Sequence, residues 1–317
     1  MKIGNIQLKN NLILAPLSGI TDLPFRKLCL RFGAGMTVAE MVDCNACVRD
    51  LRNTKLRLRF CEEEIPRCVQ LVGNRINVMA EAAKFCEDEG AQIIDINMGC
   101  PVKKVCGKNA GAALMQDEKL AAELLSKIVS AVKIPVTAKM RLGWDNDHQN
   151  VLQIARIAED AGVCAITIHG RTRADKYNVP ARYDLIKLVK QKLKIPVIAN
   201  GDINSRAKML EVLEFTQADG VMIGRAALGR PWIFKELLDE DVEVDLCALI
   251  TEHLQMLYDF YGERIGVTLA RKHVGWYLKG YPHAKKVRQE FYALTSKEQQ
   301  LEYISATFRN ARFITDK

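Results

Sequence analysis

Residues 133–141 read KIPVTAKMR, and residues 194–202 read KIPVIANGD. Proline suits the first position of a strand, where its missing N–H removes no ladder bond. Each time, a run of strand-type residues follows at once, so the two stretches mark equivalent strands of a repeating unit. Working outward, six more short runs appear: LILAP (12–16), MTVAE (36–40), RCVQLV (67–72), IIDIN (93–97), CAITIHG (164–170) and GVMIGR (220–225). Helical patterns separate them. Residues 117–132 begin on Asp117 as a cap and carry Leu120, Leu124, Ile128 and Val132 at i, i+4 spacing. Residues 76–89 set Val78, Met79, Ala82, Phe85 and Cys86 on one side and stop at Gly90. Eight strands alternating with helices predict an α/β fold, a (β/α)8 TIM barrel, over residues 1–240. Residues 241–317 read as a small C-terminal all-helical domain.

The chain has 317 residues, 49% hydrophobic and 26% charged, the balance of an ordinary globular protein. The apolar run before Pro16 is too short and broken for a signal peptide or a membrane span, so a cytoplasmic location is expected. The net charge of +8 is uneven. Residues 236–263 hold nine acids and no Lys or Arg; residues 264–317 hold eleven Lys/Arg and four Asp/Glu, 11 − 4 = +7. A block that basic points to an anionic partner.

In such a barrel the C-terminal strand ends face the active site. Those ends carry Ala15-Pro16, Glu40, Gln70, Asn97 through Cys100, Lys139 with Arg141, His169, Asn200-Gly201-Asp202 and Gly224-Arg225. The loops after the last two strands commonly hold a phosphate, and Gly201, Gly224 and Arg225 suit one. Gln70 suits the imide edge of a cofactor ring, and Lys139 a developing negative charge. His169, beside Arg171 and Arg173, stands where a site residue belongs. The ten cysteines read as reduced thiols. Cys44 and Cys47 form a C-x-x-C, but no second pair exists, so no metal is expected. Cys29, Cys86, Cys164 and Cys247 lie on apolar patterns and read as core. Cys100, between Gly99 and Pro101 at a strand end, is a thiol able to serve as a general acid.

Taken in order, APLSGITDLPFR (15–26), VQLVG (69–73), IIDINMGCPVKKV (93–105), KMRLGW (139–144), IHGRT (168–172), IANGDI (198–203), MIGRAALGRPWIF (222–234) and ARKHVGWYL (270–278) resemble the flavin-dependent tRNA-dihydrouridine synthases, most closely the bacterial B subfamily. The resemblance implies FMN over the barrel mouth. Ala15, Pro16, Gln70, Lys139 and His169 would then surround its ring and ribityl chain, with Asn200, Gly201, Asp202, Gly224 and Arg225 on the chain and phosphate. It implies NADPH (or NADH) as reductant, a hydride to C6 of uracil, and a proton from Cys100 to C5. Asn97, Lys139, Arg141 and His169 would grip the uridine, and the target would be uridine 17 of the tRNA D-loop. Cys106 is a bystander in the same loop.

A uridine in folded tRNA has to leave its stack, which calls for a grip on the RNA elsewhere. Arg271, Lys272, Lys279, Lys285, Lys286 and Arg288 in the basic tail, and the run RDLRNTKLRLR (49–59), suit that purpose. Trp276 and Tyr277 read as helical core. A monomer is expected, with tRNA as partner and no membrane. Two other readings share part of the pattern: a flavin barrel acting on a free pyrimidine, and a tRNA-binding protein without catalysis.

Overall fold

The structure, a computed structural model, describes residues 1–44, 51–309 and 311–314. Eight parallel strands form a closed barrel: β1 (Leu12–Leu14), β2 (Met36–Val38), β3 (Arg67–Val72), β4 (Ile93–Met98), β5 (Val136–Arg141), β6 (Ala165–His169), β7 (Val197–Asn200) and β8 (Gly220–Ile223). Closure is visible in the register, since β1 pairs with β8 through Leu14 and Ile223 and with β2 through Ile13 and Met36. The prolines before β5 and β7 behave as their repeat implies. Pro135 and Pro196 offer their carbonyls to Ile94 and Ile166 at 3.0 and 2.9 Å, and their missing N–H leaves no gap in the ladder.

Helices fill the outer ring and their starts follow capping chemistry. Asp117 accepts from Leu120 N at the head of helix Glu118–Ala131, and Asp22 from Phe25 N at the head of helix Leu23–Arg31. Alternation along each strand separates two cores. Ile94, Ile96 and Met98 face the helices, while Ile93 joins Ile13, Met36, Cys68, Ala165, Ile198 and Met222 inside the barrel. A two-stranded hairpin (Lys2–Ile3 with Ile6–Gln7) plugs the lower end with Ile3 and Leu8. Cys29 and Cys86 are core, as expected, and Cys164 and Cys247 are half-buried at its margin. Cys44 is buried with its sulfur 3.0 Å from Met79 Sδ. Cys47 lies outside the described residues.

Beyond the barrel come four helices, Leu246–Tyr261, Glu263–Tyr277, Ala284–Ala293 and Lys297–Phe308, around a core of their own. They rest on the first β/α unit. Leu28 enters that second core, Phe25 stacks on His253 at 5.9 Å, and Lys272 Nζ donates to the Gly19 carbonyl at 3.0 Å. Tyr277 is buried there and Trp276 half-buried. One feature was not read from the sequence: Glu243–Asp245 and Arg312–Ile314 pair as an antiparallel ribbon across the ends of the helical region. Among the described residues no helix is long and apolar enough to cross a membrane.

Candidate active site

Period-two alternation builds the site. On β3, β4, β6 and β7 the polar residues two or four places beyond an inward hydrophobe (Cys68, Ile93, Ala165 and Ile198) point the same way, toward the C-terminal mouth. Cross-strand register then lines these residues up: Gln70 opposite Asp95, Asp95 opposite Thr137, Asn97 opposite Lys139, Arg141 opposite His169, and His169 opposite Asn200. They open on a cavity of about 900 Å3. Ala15, Pro16 and Gln70 line it from the first strands, Asn97, Cys100, Lys139 and Arg141 from the middle ones. His169, Asn200, Gly201, Asp202, Gly224 and Arg225 line it from the last strands.

Cys100 follows β4 in a turn held by the Asn97 side chain, whose Oδ1 accepts from the N–H groups of Gly99 (3.1 Å) and Cys100 (2.9 Å). The chain then folds back beneath it. Gly111, at φ +62°, lies so close that a Cβ there would meet the Cys100 carbonyl oxygen at 2.9 Å. Burial pushes the Cys100 thiol above its usual range, against smaller pulls from the Val102 N–H, Arg141 and Lys139. The group therefore carries its proton at neutral pH. Cys106 is buried, and its thiol donates to the Cys100 carbonyl at 3.2 Å.

The cations are held individually. Lys139 Nζ donates to Asn200 Oδ1 at 3.1 Å, and Asn200 in turn donates to the Met222 carbonyl. Burial, with Arg141 nearby, brings Lys139 down to about 8. Arg141 is engaged with main chain: Nε to the Gly99 carbonyl at 2.7 Å, and Nη1 to the carbonyls of Thr172 (2.8 Å) and Lys176 (3.3 Å). His169 is buried, and that burial together with Lys139, Arg141, Arg171 and Arg225 holds it far below its usual range. It is a neutral imidazole whose Nδ1 has no hydrogen-bond partner among the described residues.

On the opposite wall Asp202 accepts from Arg171 Nη2 (2.5 Å), the Ala181 N–H (2.8 Å) and Arg225 Nη2 (3.2 Å). Burial alone would raise this carboxyl; those donors outweigh it and hold it below the usual range. Tyr177 was not singled out from the sequence, for it sits on a loop with no periodic pattern. Arg225 lies 4.3 Å from its ring centroid, Arg141 5.6 Å, and His169 meets it edge-on at 6.0 Å. Asp95 and Thr137 also went unnoticed, although alternation sets Asp95 on the face of Asn97.

The basic residues of the tail divide. Lys279 lines the cavity. Lys272, Lys285, Lys286 and Arg288 are exposed outside it, and Arg271 is half-buried with Nη2 on the Leu294 carbonyl at 3.0 Å. In the run 49–59, Arg57 lines the cavity, 3.7 Å from Glu40, and the first residues fall outside the described ones.

The comparisons with known proteins agree with this geometry. The pattern of the dihydrouridine synthase (Dus) family matches residues 13–312. The chain belongs to the dihydrouridine synthase family. It is 50% identical over 319 residues to tRNA-dihydrouridine synthase B of Vibrio parahaemolyticus, covering 98% of this chain and 99% of the relative. It is also 50% identical over 326 residues to the synthase B of Pseudomonas putida, covering 98% and 95%, and 48% identical over 319 residues to that of Shigella flexneri, covering 98% and 99%. Among solved structures, histamine dehydrogenase from Rhizobium sp. 4-9 superposes with a TM-score of 0.58 at 13% identity. The match covers 81% of this chain and 50% of that one, a likeness of fold alone. Enzymes of the dihydrouridine synthase family are flavin-dependent oxidoreductases.

The residues present fit a flavin. The cavity is at the upper end of small-molecule pockets, and His169 Nδ1 is a buried polar atom awaiting a partner. A Cβ placed on Gly224 would meet nothing nearer than Ala15 Cβ at 3.7 Å, so the glycine leaves open a space on the cavity wall. Gly201 is different. Its φ of +124° and the Ala181 Cβ, 2.8 Å from where a Cβ would stand, account for glycine there through packing alone.

Proposed function

We propose that the protein is a tRNA-dihydrouridine synthase that reduces the C5=C6 bond of a D-loop uridine, uridine 17 by resemblance. FMN bound in the cavity, with NADPH as its reductant, would supply the hydride for C6 of uracil. The observation that carries this reading is the Cys100 thiol, held above its usual range by burial, on the wall of the same cavity as the half-buried Lys139. Saturation of C5=C6 places enolate-like charge on O4, C4 and C5. Lys139 opposes that charge from a water-poor site where its interaction is strong. Cys100 delivers its proton to C5, forming the second new C–H bond, and the thiolate left behind is reprotonated from solvent. A neutral acid suits this place, since a carboxylate would repel the developing charge.

Neutral His169 donates or accepts through Nδ1, and Asn97 holds the thiol-bearing turn while its amide lines the cavity. Ala15, Pro16 and Gln70 would border the flavin ring, and Asn200, Asp202, Gly224 and Arg225 would hold its side chain and phosphate. Arg271, Lys272, Lys285, Lys286 and Arg288 contact tRNA phosphates in a helical tRNA-binding domain of residues 241–317, set beside a catalytic barrel of residues 1–240. The reading carries with it a cytoplasmic monomer acting on tRNA.

The test is incubation with unmodified tRNA and NADPH, followed by mass-spectrometric mapping of dihydrouridine along the RNA. One new dihydrouridine in the D-loop is expected. Reduction of free uridine or orotate, with none in tRNA, would overturn the reading in favour of a small-molecule flavin reductase.

A further inference from the structure

Beneath Cys100 runs a chain of side-chain hydrogen bonds that ends on Asp95, a residue the reaction as described does not use. Asp95 stands two residues before Asn97 on the inner face of β4, with Gln70 of β3 and Thr137 of β5 beside it in register. Thr137 Oγ1 donates to Asp95 Oδ1 at 2.7 Å, and Gln70 Nε2 donates to Asp95 Oδ2 at 2.7 Å. Asn97 Nδ2 donates to Gln70 Oε1, again at 2.7 Å, and Asn97 Oδ1 takes the N–H groups of Gly99 and Cys100.

Such a chain has a direction. Backbone N–H groups only donate, so Asn97 must turn its oxygen to the Cys100 turn and its NH2 to Gln70. Gln70 must then accept at that end and donate at the other, and the chain has to finish on an acceptor. A carboxylate accepts at both oxygens, which removes the reversed arrangement. An amide in its place would permit either direction, one of which sets an NH2 against the Gly99 and Cys100 N–H groups.

We propose that Asp95 is a positioning residue that sets the direction of the Gln70–Asn97 relay and thereby fixes the turn presenting the Cys100 thiol. Asp95 is 3% exposed, and among the described residues no ion pair reaches it. A carboxylate buried among neutral donors is costly compared with an apolar residue of similar size. Its burial raises the carboxyl above the usual range, opposed by the Gln70 and Thr137 bonds and the charge of Lys139. Packing alone therefore does not account for an acid here. A group that accepts on both sides does.

The inference rests on the reading of Cys100 as the proton donor, and the isosteric variant Asp95→Asn in the flavin-loaded protein tests it with two readouts. The first is the rate of iodoacetamide alkylation at Cys100, followed peptide by peptide. It should rise roughly three- to tenfold, the worth of about one net hydrogen bond. Cys164, at the opposite end of the barrel, serves as the reference and should not change. The second compares half-reactions. Flavin reduction by NADPH should stay within about twofold, while reoxidation by tRNA falls roughly tenfold or more. Unchanged alkylation and reoxidation, or an equal loss in both half-reactions with unchanged alkylation, would overturn the proposal. If tRNA fails to reoxidise even the unsubstituted protein, the proposed function fails while the alkylation rate still decides this one. Should Asp95→Asn not fold, Thr137→Val removes one donor from Asp95 and must raise Cys100 alkylation by a smaller factor; no rise would sink the idea.

Discussion

The barrel mouth and the basic helices are both rich in cations and hold them in opposite ways. Arg141 is 3% exposed with three bonds to main-chain carbonyls, and Lys139 is fixed on Asn200. Lys286 in the helix Ala284–Ala293 is 77% exposed, with only a loose 3.8 Å contact to Glu290, and Lys285 and Arg288 are exposed beside it. Buried, oriented charge acts over a few ångströms on one transition state and is little screened by salt. Exposed, mobile charge acts on any phosphate that comes near and fades with ionic strength. Under the proposed function the same residue types would have different tasks, chemistry at the mouth and grip on the helices, and the two are separable by experiment.

The largest effect belongs to the mouth. Cys100→Ala should lower turnover by about 10^2–10^4-fold while tRNA binding and flavin content stay as they were; unchanged turnover would remove the proton donor. Next is Lys139, whose depressed pKa has a consequence for pH. The ammonium is the active form, so the rate of tRNA-dependent flavin reoxidation should fall as pH rises through about 8. Cys100, raised by burial, stays protonated past that point and contributes no limb there. Lys139→Met should run about 10^2-fold slower and flat across this range. A descending limb that survives the substitution would show that another group titrates. A smaller effect, and one confined to binding, is expected on the helices. Reversing Lys285, Lys286 and Arg288 to Glu should weaken tRNA affinity about tenfold near 0.15 M salt and flatten the salt dependence by roughly two to three units of slope. The single-turnover rate at saturating tRNA should not change. If affinity holds, these helices are an ordinary solvated surface and the contrast drawn above fails.

How much of this was legible in the sequence follows from periodicity. Strands of period two and the paired KIPV runs were enough to place eight strands, and the strand ends then named the polar residues at the floor of the cavity but not the loop residues that make up much of its wall. Asp95 was visible within IIDIN as the residue sharing a face with Asn97, yet an acid in an apolar run reads as strand, and its partners lie on two other strands. Tyr177 had no signal, because its position depends on loop geometry and on Arg225 closing over its ring. Arg141 was expected on the substrate. Its guanidinium lines the cavity and also braces the carbonyls of Gly99 and Thr172, a second role that needs the folded loop to be seen. Arg271 likewise braces the Leu294 carbonyl. The ribbon of Glu243–Asp245 with Arg312–Ile314 joins short segments far apart in the chain, beyond any local pattern.

The smallest expected effect concerns the second thiol. Cys100 and Cys106 lie in one loop, but only Cys100 reaches the cavity wall; Cys106 is buried in a small cluster with Ala112 and Ala113, its thiol turned to the Cys100 carbonyl. A serine hydroxyl at 106 would donate to the same carbonyl, and more strongly than a thiol. Cys106→Ser should therefore keep turnover within about twofold, since the change amounts to one exchanged hydrogen bond. Iodoacetamide should inactivate the variant at the rate seen for the unsubstituted protein, with Cys100 as the modified residue. A loss approaching that of Cys100→Ala would assign the proton to the wrong sulfur, and the turn held by Asn97 would then serve to orient the loop around Cys106.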